Sequence, residues 1–342
     1  MFKVREKLFL KRLCKMMLLL SVLSIFLWIN VGSFYEQDYN ADWRKVDYKV
    51  CHVNLNDMRS HLNSDATKSL KMIYYVTPTY PRPEQVPELT RLGYTLMHLP
   101  RLHWIVADDN PTCSDVLLNI LNKTGVPFTL LSSPKPFTHK KDTSRGVANR
   151  LAALSWLRQN VREGVLYFGD DDNTVDLQLF DEIRNTKKVS MFPVGLILGF
   201  GVSSPVVNNG KVVGFFDSWP ASRTFPVDMA GFAVNIEFLK PTATMPFNAG
   251  FLEDAFLRSL GLKMEDIEPL ADNCTKVLVW HTQALKNKVP TLKIDVDTLQ
   301  SHYYSNLLDL LNEMTRTHMV NLSPNRGARP FVTHDRRTFD IS

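Results

Sequence analysis

The sequence is poor in the features that announce the commonest metal and cofactor chemistries. It has only four cysteines in 342 residues and no C-x-x-C pair, so it offers neither a zinc knuckle nor a dithiol redox motif. There is no G-x-x-x-x-G-K-[ST], no H-E-x-x-H and no G-x-S-x-G, and Gly199-Phe200-Gly201 lacks the rest of a dinucleotide fingerprint. Net charge is also missing outside the first fifteen residues. Lys3, Arg5, Lys7, Lys11, Arg12 and Lys15, opposed by Glu6, account for the whole formal charge of +5, leaving residues 16–342 neutral. No nucleic acid is therefore expected as a partner. With 44% hydrophobic and 22% charged residues the chain is not a disordered one and can bury a full core.

What is present begins with an uncharged run from Met16 to Tyr35 behind that basic tail. At ~1.5 Å per helical residue it covers roughly 30 Å of hydrocarbon, with Trp28, Phe34 and Tyr35 at the far interface. The run is long for a cleaved signal, and no small-x-small site follows it. Residues 1–15 are thus expected as a cytosolic tail, 16–35 as a transmembrane signal anchor, and everything later on the lumenal side. Residues 36–71 are polar, without a sustained apolar period, and read as a stem. Beyond the anchor Cys51, Cys113 and Cys274 leave one thiol unpaired, and Cys51, close to the membrane, is expected to join two chains. The sequons at Asn122 and Asn273 suit lumenal exposure, whereas that at Asn321 is followed by Pro324 and counts for less.

From Met72 the pattern alternates. Met72–Val76 reads as a strand halted by Pro78, Pro81 and Pro83, followed by a helix over 84–99, a strand at 103–107, a helix at 114–122, a strand at 128–131, a helix at 144–160 and a strand at 164–168. Alternation of this length predicts a parallel sheet covered on both faces, with ligands bound beyond the carboxyl ends of its strands. Asp108-Asp109 and Asp170-Asp171-Asp172 fall at those ends. After Asn173 the runs shorten, at 189–192, 194–200 and 211–216 behind an Asn-Asn-Gly turn, and predict a mixed sheet. A helix over 250–260, a strand at 277–280 and an amphipathic helix over 296–313 complete the reading.

Three successive carboxylates after a buried strand repel one another, and a divalent cation with oxygen ligands is the simplest compensation. A solvated acidic turn is the bland alternative; Gly169 and the apolar strand behind the triplet favour the functional one. Arg145 and Arg150, five apart at the start of a helix, are candidates for the basic side chains that a nucleotide sugar needs near its sugar, although arginines so placed are more often plain surface residues. Glu253 would stand in the first turn of a helix, where it either complements the dipole or takes a proton from an acceptor hydroxyl. The triplet alone does not separate sugar transfer, phosphoryl transfer and hydrolysis.

Several stretches taken together resemble one family, the inverting β-1,3-glucuronosyltransferases of glycosyltransferase family 43. They are Tyr75–Tyr80, Arg101–Trp104, Arg145–Val147, Tyr167–Thr174, Phe192–Leu196, Ser222-Arg223 with Phe225–Val234, and Asn273–Thr282, in the family's order over about residues 72–285. The resemblance implies an α/β GT-A fold with a Rossmann-like nucleotide-sugar-binding half over 72–172, a mixed-sheet acceptor-binding half over 173–286, and a divergent extension over 287–342. It implies UDP-glucuronic acid as donor, Mn2+ as metal, a galactose-terminated glycan as acceptor, a homodimer, and a type II Golgi membrane protein with its catalytic part in the lumen. Carried over by position, Tyr80 stacks on the uracil, Asp109 bonds it, and Arg145 and Arg150 hold other parts of the donor. Asp170 and Asp171 contact sugar and ribose, Asp172 ligates the metal, and His281 reaches the donor. Glu253 is the base, and Trp219, Arg223 and Asp228 shape the galactose site.

Two departures stand out. The family's usual Trp-His-Thr-Arg reads Trp280-His281-Thr282-Gln283, and a glutamate expected near position 203 is Ser203. They keep open the alternative of a weak or inactive relative that binds glycans or nucleotide sugars. A metal-dependent phosphodiester hydrolase is a distant third, for want of histidines at metal spacing.

Overall fold

The apolar runs read from the sequence become the middle of an eight-stranded sheet. The structure, a computed structural model, describes residues 46–62, 64–136, 145–219, 221–247, 250–282, 289–294, 305–334, 337–340 and 342. The expected anchor at 16–35 and Gln283 lie outside the described residues; among those described, no helix is long and apolar enough to cross a membrane. Strands β2 (Ile73–Thr79), β3 (Leu102–Asp108), β4 (Phe128–Ser132) and β5 (Val165–Phe168) are mutually parallel in the order β4-β3-β2-β5. Every residue of β3, β4 and β5 is buried, as both-face covering demands of parallel strands. Successive side chains enter opposite cores, Tyr75, Trp104 and Tyr167 one, and Val76, Ile105 and Phe168 the other. The helices Gln85–Leu96, Asp115–Thr124 and Val147–Asn160 make the crossovers, each within a few residues of its expected bounds.

Several strands were not legible, and two of them shape the main sheet. Lys49–Asn54 forms β1, antiparallel to β4 at the sheet edge, so the stem expected over 36–71 does not extend through these residues. Its side chains are mostly exposed, which removes the periodic signal by which a strand is recognised. Cys51 on β1 is bonded to Cys113, with Cα atoms 5.6 Å apart. This corrects the expected link between two chains; the thiol left over is the half-buried Cys274. The second unforeseen strand is β11 (Phe232–Asn235), inserted antiparallel beside β5 and continuing the sheet to β7 (Val189–Met191) and β12 (Ile267–Pro269).

A second sheet supplies the mixed half, in the order β10-β9-β8-β13-β6, from β6 (Thr174–Val175), β8 (Val194–Ile197), β9 (Gly201–Asn208), β10 (Lys211–Phe216) and β13 (Val279–Trp280). The expected run 194–200 is in fact a strand ending at Ile197, a turn, and a second strand beginning at Gly201. An unforeseen helix, Leu177–Ile183, is capped by Asp176, whose carboxylate accepts from Gln178 N–H at 2.8 Å. In the C-terminal part a helix runs from Ser305 to Arg316, and of the 296–313 expectation residues 296–304 fall outside the described ones. The described residues belong to one compact unit, and its α/β architecture of a parallel nucleotide-fold sheet joined to a mixed sheet is as expected, although β7, β11 and β12 of the second half extend the first sheet.

Candidate active site

The carboxyl ends of β2, β3 and β5 open on one cleft, and Asp109, Asp170, Asp171 and Asp172 stand along it with Tyr80, Arg82, Arg145 and Arg150. Gly169 is needed where β5 delivers the triplet. A Cβ there would lie 1.9 Å from the Tyr75 hydroxyl, inside the core that carries the site. Gly146 is needed for a second reason: its φ is +78°, and a Cβ would meet Arg150 Nη1 at 2.8 Å and Pro78 Cβ at 3.2 Å. It ends the loop that carries Arg145 and starts the helix that carries Arg150.

The three aspartates are not equivalent. Asp170 pairs with the buried Arg150. Asp171 is itself buried, accepting from Thr79 Oγ1 at 2.6 Å and from Arg82 Nη2 at 2.7 Å. Thr79 is fixed in turn by Gln85, whose Nε2 lies 3.2 Å from its hydroxyl and donates to Asp108 at 3.0 Å. Burial pushes the Asp108 carboxyl up to about 7. Asp172 is left: no described side chain makes a hydrogen bond or ion pair to its carboxylate. Its backbone carbonyl, by contrast, is held by Arg91 Nη2 at 2.8 Å and by the Thr282 hydroxyl. Burial, then Asp170 and Asp171, push its carboxyl up to about 6. A desolvated, uncommitted carboxylate among like charges is a fitting hard-oxygen ligand for Mn2+. Among the described residues no group of three or more His, Cys, Asp or Glu could hold a metal alone, so water and a bound anion would complete the coordination.

Tyr80 stands beside two guanidinium groups, Arg82 at 4.5 Å and Arg145 at 4.6 Å from its ring centre. Asp109 is oriented by the Lys135 N–H at 2.6 Å. Arg82, Thr79 and Gln85 were missed by the sequence reading. Their only signal is position, in and just after the Pro-rich loop leaving β2 at the ligand edge of the sheet.

The mixed half adds the remaining candidates. Pairing of Trp280 with Thr174 in β13 and β6 brings His281 alongside the aspartates, and His281 N–H donates to Gly195 C=O at 2.9 Å. Nδ1 of His281 is 3.4 Å from Asp228 Oδ2. Asp228, followed by Asp170 and Asp172, raises the imidazole to about 9 despite its burial. Asp228 is also oriented by Ala230 N–H at 2.9 Å.

Glu253 occupies the first turn of the helix Leu252–Ser259, which is anchored on the main sheet by Phe256 against Phe168 and Phe232. Its neighbour Asp254 accepts from Thr224 and Phe225 N–H at 2.8 and 2.9 Å, tying this helix to the segment after Arg223. Glu253 keeps a window to solvent, yet protein crowds it closely, and burial followed by Asp228 pushes its carboxyl up to about 7. It lines a second cleft of ≈ 470 Å³ with Trp219, Arg223, Asp228 and Asp217. The two clefts meet electrically, since Arg150 of the first lowers Glu253 of the second. Ser203 is buried and donates to Asp217. Of the sequons, Asn122 and Asn273 are both exposed. The predicted donor and acceptor residues thus line these two clefts, except His281, which is placed beside Asp228 of the second.

The family model of glycosyltransferase family 43 matches residues 92–285. The chain is 49% identical over 296 residues to galactosylgalactosylxylosylprotein 3-beta-glucuronosyltransferase S of Drosophila melanogaster, covering 84% of this chain and 72% of that one. It is 42% identical to galactosylgalactosylxylosylprotein 3-beta-glucuronosyltransferase 2 of Canis lupus familiaris, over 72% of this chain and 78% of the other. With galactosylgalactosylxylosylprotein 3-beta-glucuronosyltransferase sqv-8 of Caenorhabditis elegans it shares 40% identity, over 76% and 78%. Solved structures give a distant likeness, such as S. aureus TarS 1-349 in complex with UDP, at TM-score 0.40 and 14% identity over 62% of this chain and 61% of that one. On the family model and these relatives, the chain belongs to glycosyltransferase family 43.

Proposed function

We propose that this glycosyltransferase moves glucuronic acid from UDP-glucuronic acid to the 3-hydroxyl of a terminal β-galactose, with inversion at the anomeric carbon. The observation that carries the reading is Glu253: a carboxyl raised to about 7 on the wall of the second cleft, flanked by Arg223, Asp228 and Trp219 and within the field of Arg150 from the first. Such a group is a usable general base near neutral pH, and a single displacement requires no covalent nucleophile. The names of the relatives, all 3-beta-glucuronosyltransferases, support the donor sugar and the linkage.

In this reading Tyr80 and Asp109 receive the uracil, and Arg145, beside the Tyr80 ring, holds another part of the donor. Arg150, fixed by Asp170, faces the donor's anionic part. His281, held cationic by Asp228 below about pH 9, adds positive charge on the other side. Asp172 would hold Mn2+, which when bound neutralises the leaving diphosphate. Trp219 offers an apolar face to the galactose ring, Arg223 and Asp228 bond its hydroxyls, and Glu253 takes the proton of the attacking one. The chain works as a homodimer at the Golgi membrane, anchored through residues 16–35, with glycans at Asn122 and Asn273. The test is direct: full-length protein in detergent is given UDP-glucuronic acid, Mn2+ and a β-galactoside. A β-1,3-linked glucuronide is the expected product, and absence of both transfer and donor hydrolysis would overturn the reading.

A further inference from the structure

Asp217 was not singled out by any motif, yet it is the most heavily engaged carboxylate of the second cleft. It follows β10 and faces β9, whose pairing sets Phe216 opposite Ser204. Ser203 Oγ, 2% exposed as a residue, donates to Asp217 Oδ2 at 2.5 Å. Asp217 Oδ1 accepts from Arg223 Nη2 at 2.9 Å and from Trp219 N–H at 2.8 Å. The Asp217 and Arg223 side chains are only 7% and 5% exposed, although both line the cleft. Arg223 Nε closes the loop by donating to Trp219 C=O at 2.9 Å.

The loop so closed is not one the backbone adopts by itself. Ala221 and Ser222 have φ of +41° and +59°, in the region that disfavours residues with a Cβ. Such a conformation persists when surrounding contacts over-determine it, and here those contacts converge on one carboxylate. Trp219, 59% exposed as a residue, has little packing of its own to hold its ring. Removing the charge of Asp217 would leave the Arg223 cation, nearly buried, without its anionic partner.

We infer that Asp217, seated by Ser203, is a positioning residue that presents Arg223 and Trp219 to the acceptor sugar and so helps set acceptor affinity. This rests on the transfer reaction proposed above. The role is indirect: Asp217 acts through the two groups that meet the acceptor. The donor cleft is built from other elements and does not depend on it.

The test is kinetic, on the full-length protein with UDP-glucuronic acid and a β-galactoside. Asp217→Asn preserves shape and an acceptor oxygen for Trp219 but removes the charge. Loss of a charge-assisted hydrogen bond is expected to raise the acceptor KM roughly tenfold or more, with the donor KM within about twofold. Ser203→Ala is expected to act in the same direction by a smaller factor. Transposing the pair, Ser203→Asp with Asp217→Ser, returns a carboxylate to the same hydrogen-bonded position and is expected to recover part of the acceptor KM. An unchanged acceptor KM in Asp217→Asn overturns the inference, as does a parallel loss of donor and acceptor affinity, which would mark a general structural role. A wild-type protein that transfers nothing would instead contradict the proposed reaction, and this role with it.

Discussion

The two clefts are built from the same kinds of side chain but hold them in opposite ways. In the cleft at the ends of β2, β3 and β5, Asp170 and Asp171 are each committed to an arginine, and of the triplet Asp172 alone has no side-chain partner among the described residues. The carboxylate network runs into the core through Thr79, Gln85 and Asp108. In the second cleft Glu253 has no paired cation among the described residues and is held near neutrality by burial, while Trp219 projects into solvent from a loop closed by side chains. A cleft of fixed, paired charges suits recognition of an invariant anionic donor. One with a poised carboxyl and an exposed aromatic suits proton removal from a neutral sugar.

Substitutions separate the two. The largest effect is expected from Glu253→Gln, which removes the base and leaves the shape: transfer should fall on the order of 10³-fold while UDP affinity stays within about twofold. Equal losses in both would erase the distinction between the clefts. Asp172→Asn is expected to act oppositely, weakening Mn2+-dependent UDP binding roughly 10- to 100-fold by calorimetry and leaving affinity for a free galactoside unchanged. Smaller still, Arg82→Ala takes the cation from Asp171 while Thr79 keeps its hydrogen bond. The donor KM should rise about tenfold with little change in the acceptor KM, and a larger acceptor effect would show that the clefts are mechanically coupled.

The first cleft was legible in the sequence because its residues lie where local pattern puts them. Apolar runs of four to seven residues became the buried parallel strands, and the acidic groups at their ends became the ligand edge. The grading of Asp170, Asp171 and Asp172 was not legible, because it depends on Arg150 and Arg82, partners 20 and 89 residues away. Of the second cleft, Glu253 was legible from its place in a helix's first turn, and the rest only through the resemblance to a family. Asp217 acquires its role from Ser203, 14 residues away across the β9–β10 hairpin, and no period or motif records such a contact. The Cys51–Cys113 bridge escaped notice for a related reason. Cys51 sits on an edge strand too exposed to be periodic, and connectivity among three cysteines cannot be deduced from spacing.

The central claim is that Glu253 is the base of this enzyme, and the pH dependence of kcat/KM for the acceptor at saturating donor tests it most directly. A carboxyl raised to about 7 is protonated below that pH and cannot take a proton, so the rate should fall about tenfold per unit on the acid side. His281 loses its charge above about 9, which gives the basic limb. The account predicts a bell between these values, with the acid limb absent from the residual activity of Glu253→Gln. A profile flat through 7, or an acid limb that survives the substitution, would contradict it.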